Sequence, residues 1–567
     1  MTNIAFLTSG GQIPKIGTGH VVRSINLARI MVNQLNCKVI FISDTPEIIN
    51  VKAPEYHIVT YKNHENSFDG LILELKSQNL DIIIIDSYKV NRHLLKSIAK
   101  LNIILIGIDN SQRIITNLFT FRVNSLIRKS KAELFGFKYL ALNERLGLIP
   151  IIKDHSLPIK KIFVAFGGFD ANNLTYKFVK AVSELDNLFA SNYEFNLVVS
   201  QSFKKSIDIQ EIISTSSNIR ILIEPDNYYE VLGSSDLAVV AGGITMFEAV
   251  FLGIPTFVFS QYRHQSRNAK LLSDKKAIIF LGTGKKKNIK TGVDNIFRVV
   301  SSIDKLEELR KYSRIAIPQN GIFRLSKVLS IFEFLEWDSI FFKQRIARIN
   351  VELLNDKVFS FIQNKCNIYQ IKVLFFTSKK KDYGSALYAE SKGFKYIDDK
   401  LTYCKEISPS NLPIKLINNN FAGINDKKSL FDISKDSFYH SRFFQDIKFE
   451  KELSQSYYEN WIEKSIMGQF DDLVLIVWRD KKIAGFISCR RQSNTIGLIG
   501  LICVSEKYRM SGVGGELLHL ANAWFRSQGL LLMEIVTQGR NLGARKLLEK
   551  HNFALKEVEC WYHKWYE

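Results

Sequence analysis

Gly17-Thr18-Gly19-His20-Val21-Val22-Arg23, following the apolar run Ile4-Ala5-Phe6-Leu7, is the stretch on which the reading of the fold turns. It has the order strand, glycine loop, helix. Ile25, Leu27, Ile30, Met31 and Leu35 recur at helical spacing and mark a buried helix face. Glycine lets a backbone approach an anionic group closely, and the free N–H groups of a helix N-terminus favour negative charge. His20 therefore stands at the mouth of a crevice suited to a phosphate-bearing ligand. These seven residues alone are equally compatible with a glycine turn carrying a surface histidine.

Working outward, apolar strands alternate with amphipathic helices through about residue 335. Expected strands are 4–7, 38–42, 82–85 and 103–106, then, after a break at Pro150 to Pro158, 162–166, 196–199, 219–223, 237–240, 256–259 and 278–281. Continuous apolar strands separated by helices imply parallel sheets buried on both faces. The expected fold class is α/β with two doubly wound, Rossmann-like domains, at 1–150 and 151–333. Ligands of such sheets bind beyond the carboxyl ends of the strands. The polar signals fall there: the His20 loop, Asp86-Ser87-Tyr88, Asp109-Asn110, Gly167-Gly168-Phe169-Asp170 and Gly242-Gly243-Ile244-Thr245. After Glu336-Trp337-Asp338 the pattern changes to a small mixed subdomain, 334–408, and an α+β domain, 409–567.

The 567 residues exceed what one core supports. No apolar run reaches the roughly 20 residues of a bilayer span, and Met1 to Gly10 carries no basic leader, so a cytoplasmic protein is expected. The six cysteines form no C-x-x-C pair, which argues against a zinc site or a disulfide framework. No metal is expected. The net charge of +21 is spread along the chain rather than clustered, which speaks against nucleic acid and suits small anionic ligands. Oligomeric state is left open.

Three motifs in the front half occur in order: the His20 loop, Ile162 to Asp170 followed by Asn173-Leu174-Thr175, and Gly242 to Ala249 followed by Gly253-Ile254-Pro255 and His264-Gln265-Ser266-Arg267-Asn268-Ala269. Together they resemble the UDP-2,4-diacetamido-2,4,6-trideoxy-beta-L-altropyranose hydrolases of pseudaminic acid biosynthesis and the related spore-coat polysaccharide proteins, which share the glycosyltransferase B fold. The resemblance spans residues 1 to 330. It implies that His20 activates water for attack at the anomeric carbon while UDP departs. It also implies a nucleotide-sugar site including Gly17, Gly19, Arg23, Gly167, Gly168, Gly242, Gly243, Thr245, Glu248, Gln265 and Asn268. Physically, Gly242, Gly243 and Thr245 would offer donors to a diphosphate, and Glu248 would accept from the ribose hydroxyls. The chain departs from several relatives in having Asp86-Ser87-Tyr88 and Asp109-Asn110 where they carry a histidine beside the aspartate and an Asp-Asp pair.

In the back half, Arg509-Met510-Ser511-Gly512-Val513-Gly514 lies between a strand ending at Val504 and a helix starting near Gly515. This R-x-x-G-x-G pattern resembles the GNAT acetyltransferases, whose loop wraps the pyrophosphate of acetyl-CoA with backbone N–H groups. The implied acetyl-CoA residues are Val504, Arg509, Met510, Ser511, Gly512, Val513, Gly514, Gly515 and Asn541. Glu336 to Phe342, His440-Ser441-Arg442-Phe443, Tyr458 to Ile462 and Gly468-Gln469-Phe470-Asp471 are similar to the dTDP-fucosamine acetyltransferases. In that family His440 and Arg442 would stand near the sugar nucleotide. Leu548 occupies the place where the family carries a tyrosine that protonates the CoA thiolate, and leucine has no proton to give. Tyr562 is one candidate to replace it.

These resemblances imply a bifunctional enzyme that acetylates a UDP-4-amino sugar and hydrolyses the UDP-diacetamido sugar. Two alternatives stay open: a glycosyltransferase of surface polysaccharide fused to the acetyltransferase, and a GNAT unit that senses its ligand without turnover.

Overall fold

The computed structural model describes the chain apart from residues 1, 11–18, 63, 66, 88–89, 102, 109–119, 123–132, 150–158, 168–169, 171, 185–191, 201–217, 285, 319, 352–353, 408–415, 436 and 494. The chain divides into two compact units, Met1–Ser330 and Ile331–Glu567.

Unit 1 is built on two sheets whose central strands are apolar throughout. The first contains β1 (Asn3–Thr8), β2 (Lys38–Ser43), β3 (His57–Thr60), β4 (Ile82–Asp86), β5 (Ile104–Ile108), β6 (Thr120–Arg122) and β7 (Glu133–Phe135), in the order β3-β2-β1-β4-β5-β6-β7. All neighbours pair in parallel, and every residue of β4 is buried. The second contains β8 (Lys161–Ala165), β9 (Glu194–Val199), β10 (Ile219–Ile223), β11 (Leu237–Ala241), β12 (Thr256–Ser260) and β13 (Ile279–Thr283), in the order β10-β9-β8-β11-β12-β13, again parallel. Both are doubly wound, Rossmann-like sheets, so each has one point where the strand order reverses: between β1 and β4, and between β8 and β11. A crevice opens at such a point because the flanking connections leave in opposite directions.

The sequence runs mark ten of these strands. The other three, β3, β6 and β7, have only four, three and three residues, too few for a pattern. The helix Gly321–Ser330, assigned from sequence to the second lobe, turns Ile322, Leu325 and Leu329 inward and packs on the helix Gly19–Leu35 of the first. The lobe boundary therefore does not follow chain order at this end.

Unit 2 has one nine-stranded sheet: β14 (Phe332–Phe334), β15 (Ile346–Ile349), β16 (Val373–Lys379), β17 (Lys395–Glu406), β18 (Leu473–Arg479), β19 (Lys482–Arg491), β20 (Ile496–Val504), β21 (Leu532–Gln538) and β22 (Ala554–Trp565), in the order β14-β15-β16-β22-β17-β21-β20-β19-β18. The segment 334–408, expected as a small subdomain of the acetyltransferase, supplies β15 to β17 of this one continuous sheet. The reason is β22, which pairs antiparallel with β16 on one side and β17 on the other. Among the described residues no disulfide links any of the six cysteines, and no helix is long and apolar enough to cross a membrane.

Candidate active sites

In unit 1 the site forms at the β1/β4 reversal. Thr8 pairs with Asp86 across the two strands, and the Thr8 hydroxyl donates to the Asp86 carbonyl at 2.8 Å, fixing the strand ends. The helix Gly19–Leu35 starts above them, so His20, Arg23 and Ser24 all face the Asp86 carboxylate. His20 Nδ1 lies 2.7 Å from Asp86 Oδ1. Arg23 donates from Nε to Oδ2 at 2.8 Å and from Nη2 to Oδ1 at 2.6 Å, and Ser24 Oγ donates to Oδ2 at 3.4 Å.

Asp86 is fully buried. Burial by itself raises a carboxyl pKa, but the adjacent Arg23 charge, its hydrogen bonds and those from His20 outweigh that and bring Asp86 down to about 2. The carboxylate is thus ionised at any physiological pH. It accepts a proton-bearing Nδ1 from His20, which assigns the neutral ring's lone pair to Nε2. The 3.3 Å approach of Arg23 Nη2 to His20 Nδ1 is then a packing contact, since both atoms are donors. Arg23, expected at the ligand, is committed to Asp86. The sequence marks Asp86 only as one of the polar residues at the strand ends; its pairing with His20 comes from the β1–β4 register.

The second cluster forms at the β8/β11 reversal. Gly167 follows β8 with φ +86°, and Gly242-Gly243 follow β11 and lead into the helix Ile244–Phe251. A Cβ on Gly242 would lie 2.9 Å from the Gln265 carbonyl oxygen, so the glycine permits that close approach. Gln265 Oε1 accepts from the Gln261 backbone N–H at 2.8 Å, and Gln261 Nε2 donates to the Phe166 carbonyl. Gln261, unmarked by the sequence reading, thereby ties the loops after β8 and β12 together. Asn268 is buried one turn beyond Gln265.

Glu248, expected at a ribose, is enclosed by protein. It is 6% exposed and accepts from Tyr228 at 3.2 Å, while the Tyr228 hydroxyl also meets Thr245 Oγ1 at 3.0 Å. Burial pushes its carboxyl up to about 7, against the lowering effect of hydrogen bonds from Tyr228 and Tyr229. Gly17, Gly168, Tyr88, Asp109 and Asn110 lie outside the described residues.

In unit 2, β20 and β21 pair in parallel only from Ile496↔Leu532 to Ile499↔Ile535. Beyond that β20 keeps β19 alone and β21 keeps β17 alone, so the two strands diverge into a wedge. A bulge sets the divergence: Ser488 of β19 faces both Gly500 and Leu501, and its hydroxyl accepts from the Leu501 N–H at 2.8 Å. A Cβ on Gly500 would lie 2.6 Å from Asp471 Oδ2, which accepts from Trp461 Nε1 and Ser465 Oγ. The wedge exposes strand-edge N–H and C=O groups from Gly500 to Val504 to an extended, amide-bearing ligand.

At its mouth, Arg509 to Gly514 turn into the helix Val513–Ser527. Met510 (φ +62°) and Gly512 (φ +87°) are left-handed, which turns successive N–H groups toward one concavity. Arg509 Nε donates to the Val504 carbonyl at 3.4 Å, Ser511 Oγ to the Tyr508 carbonyl, and Asn541 caps the helix Leu542–Lys550 through Ala544 N–H at 3.0 Å. Gly515 is in the first turn of the helix. Leu548 is 1% exposed within the core. Tyr562 lies in β22, separated from the wedge by β17, and packs on Phe376 and Tyr396. It is therefore not a replacement proton donor at the wedge.

Residues 428–553 match the Acetyltransferase (GNAT) family. The chain is 28% identical over 276 residues to an uncharacterized protein of Methanocaldococcus jannaschii, MJ1062, covering 46% of this chain and 55% of that one. It is 25% identical over 339 residues to the spore coat polysaccharide biosynthesis protein SpsG of Bacillus subtilis, covering 58% of this chain and 97% of SpsG. The dTDP-fucosamine acetyltransferase of Escherichia coli O6:H1 is 26% identical over 140 residues, 24% of this chain and 59% of that enzyme. The chain thus spans about half the length of the archaeal relative and nearly all of SpsG. Its front part resembles a polysaccharide biosynthesis protein and its back part a GNAT acetyltransferase.

Proposed function

We propose that the chain is a bifunctional nucleotide-sugar enzyme. Unit 2 transfers acetyl from acetyl-CoA to the 4-amine of a UDP-linked 4-amino-4,6-dideoxy sugar, and unit 1 hydrolyses the resulting UDP-diacetamido-trideoxy sugar, as in nonulosonic acid biosynthesis of the pseudaminic type. The observation that carries the hydrolase half is the His20–Asp86 pair at 2.7 Å, with Asp86 buried and held anionic by Arg23.

With Nδ1 bonded to Asp86, His20 takes a proton from water at Nε2 while the water oxygen bonds to the anomeric carbon. The bond from that carbon to the UDP oxygen breaks, and UDP leaves with the electron pair. Asp86 stabilises the imidazolium formed. The N-terminus of the helix Ile244–Phe251, opened by Gly242 and Gly243, suits the departing diphosphate. In unit 2 the sugar amine would attack the thioester carbonyl of acetyl-CoA bound along β20, with CoA thiolate as leaving group.

The test is incubation of the purified chain with a UDP-linked diacetamido trideoxy sugar and no acceptor. UDP release by the wild type, abolished in His20→Ala with acetyl transfer intact, supports the reading. Release that appears only on adding a hydroxyl acceptor makes unit 1 a glycosyltransferase instead.

A further inference from the structure

Three polar side chains carry buried atoms with no hydrogen-bond partner: Asp398 Oδ2 on β17, His563 Nε2 on β22, and Nη1 of Arg442, which opens the short helix Arg442–Gln445. Their placement follows from register. Asp398 pairs with Trp561, and His563, two residues further along β22, pairs with Phe375, so all four point to the same side. The Arg442 guanidinium lies over this row, 4.2 Å from both the Phe375 and Trp561 ring centroids. His563 and Asp398 are 1% and 2% exposed, whereas Arg442 is half-buried and forms the outer edge. Two residues along a strand and one strand across amount to about 7 and 5 Å, the footprint of one pyranose ring with its substituents.

The unsatisfied atoms specify what fits. His563 Nδ1 is 2.7 Å from Asp446 Oδ2, which also accepts from Trp565 Nε1 at 2.8 Å, so the neutral ring presents a lone pair at Nε2. Arg540 approaches Asp398 Oδ1 at 3.8 Å and leaves Oδ2 to another partner. The site thus offers one donor and two acceptors. A phosphate would satisfy Arg442 and be opposed by Asp398, and a bare cation would meet the reverse. Hydroxyl and amino groups both donate, and hydroxyls also accept, so a ring bearing them satisfies all three atoms.

We propose that Arg442, Asp398 and His563 form the subsite that holds the sugar ring of the acyl acceptor, with Asp398 accepting from its amino or hydroxyl hydrogens. The substrate class rests on the acetyltransferase reading of unit 2; the subsite rests on the geometry of the sheet face.

The experiment uses the full chain with a UDP-linked 4-amino-4,6-dideoxy sugar, following CoA release at varied sugar and varied acetyl-CoA. In Arg442→Lys and Asp398→Asn the KM for the sugar should rise about 10-fold or more, the loss of roughly one hydrogen bond to a charged group. The KM for acetyl-CoA and the thermal midpoint should stay at wild-type values. Sugar KM within about twofold of wild type in both variants would overturn the proposal and leave the three atoms to buried water. So would a joint shift of both KM values with a lowered midpoint. Calorimetric titration with the same sugar nucleotide in the absence of acetyl-CoA separates the two readings. Binding by wild type that Asp398→Asn loses upholds the subsite even if no acetyl is transferred. Acetyl transfer with unchanged variants upholds the acetyltransferase and removes the subsite.

Discussion

Arg23 grips Asp86 with two prongs, Nε to Oδ2 at 2.8 Å and Nη2 to Oδ1 at 2.6 Å, around a carboxylate that no solvent reaches. The carboxylate is thereby kept charged for the one neighbour that uses it, His20. Asp86→Asn keeps the shape but removes the charge that orients and stabilises the imidazolium. The expected outcome is a fall in kcat for UDP release of about 10²-fold or more, with acetyl transfer unchanged. Arg23→Ala leaves a buried charge uncompensated, and such losses cost roughly 3 kcal/mol. It should lower the unfolding midpoint of unit 1 where Asp86→Asn lowers it less, which denaturant titration of the two variants will check.

Gly512 caps the helix Val513–Ser527 at φ +87°, where a side chain is strained. Gly512→Ala should cost about 1 kcal/mol and tilt the N–H groups of the loop away from their common focus. The KM for acetyl-CoA is expected to rise about tenfold while UDP release keeps its wild-type rate. Equal KM values for mutant and wild type would remove this loop from the acetyl-CoA site.

Gly500 sits where a Cβ would be 2.6 Å and 2.8 Å from the two Asp471 carboxylate oxygens and 2.8 Å from Ser488 Oγ. Gly500→Ala must displace the carboxylate from Trp461 and Ser465 or flatten the bulge. Either response costs about 1 to 3 kcal/mol. All six tryptophans lie in unit 2, so tryptophan fluorescence during urea unfolding reads this loss without interference from unit 1.

His563 sets a pH window for the same signal. Burial, aided by the Arg442 charge and opposed by Asp446, holds its pKa at about 4, against about 6.5 in the unfolded chain. Between these values the unfolded state binds a proton that the native state does not, so stability falls as pH drops from about 6.5 to about 4. The urea midpoint of unit 2 should fall over that interval, and His563→Asn should flatten the dependence. A dependence identical in the variant would assign it to other groups.

Much of unit 1 was legible because its central strands are buried on both faces and so appear as unbroken apolar runs, as in Ile82 to Ile85. The short strands β3, β6 and β7 carry too few side chains to leave a pattern. His20 was legible from its glycine loop, but its partner was not: Asp86 is 66 residues away, and only the parallel pairing of β1 with β4 brings the two together. Glu248 shows the opposite limit. Its position one turn into a helix suggested a ligand-facing acid, while Tyr228, 20 residues upstream, encloses it. In unit 2 the loop from Arg509 to Gly514 was legible from its motif, yet the wedge beside it depends on the bulge at Gly500 and on cross-strand register, which periodicity does not encode.

The position of β22 bears on how unit 2 is made. Its residues, 554–565, are translated after those of all eight other strands, yet they sit fourth from one edge and separate the three-strand set β14-β15-β16 from the five-strand set beginning at β17. Until this segment leaves the ribosome, two open sheet edges, along β16 and β17, wait side by side without a mate. A nascent unit 2 is therefore exposed to chaperones and to pairing with other chains until the last strand arrives. Once β22 is in place both edges are paired.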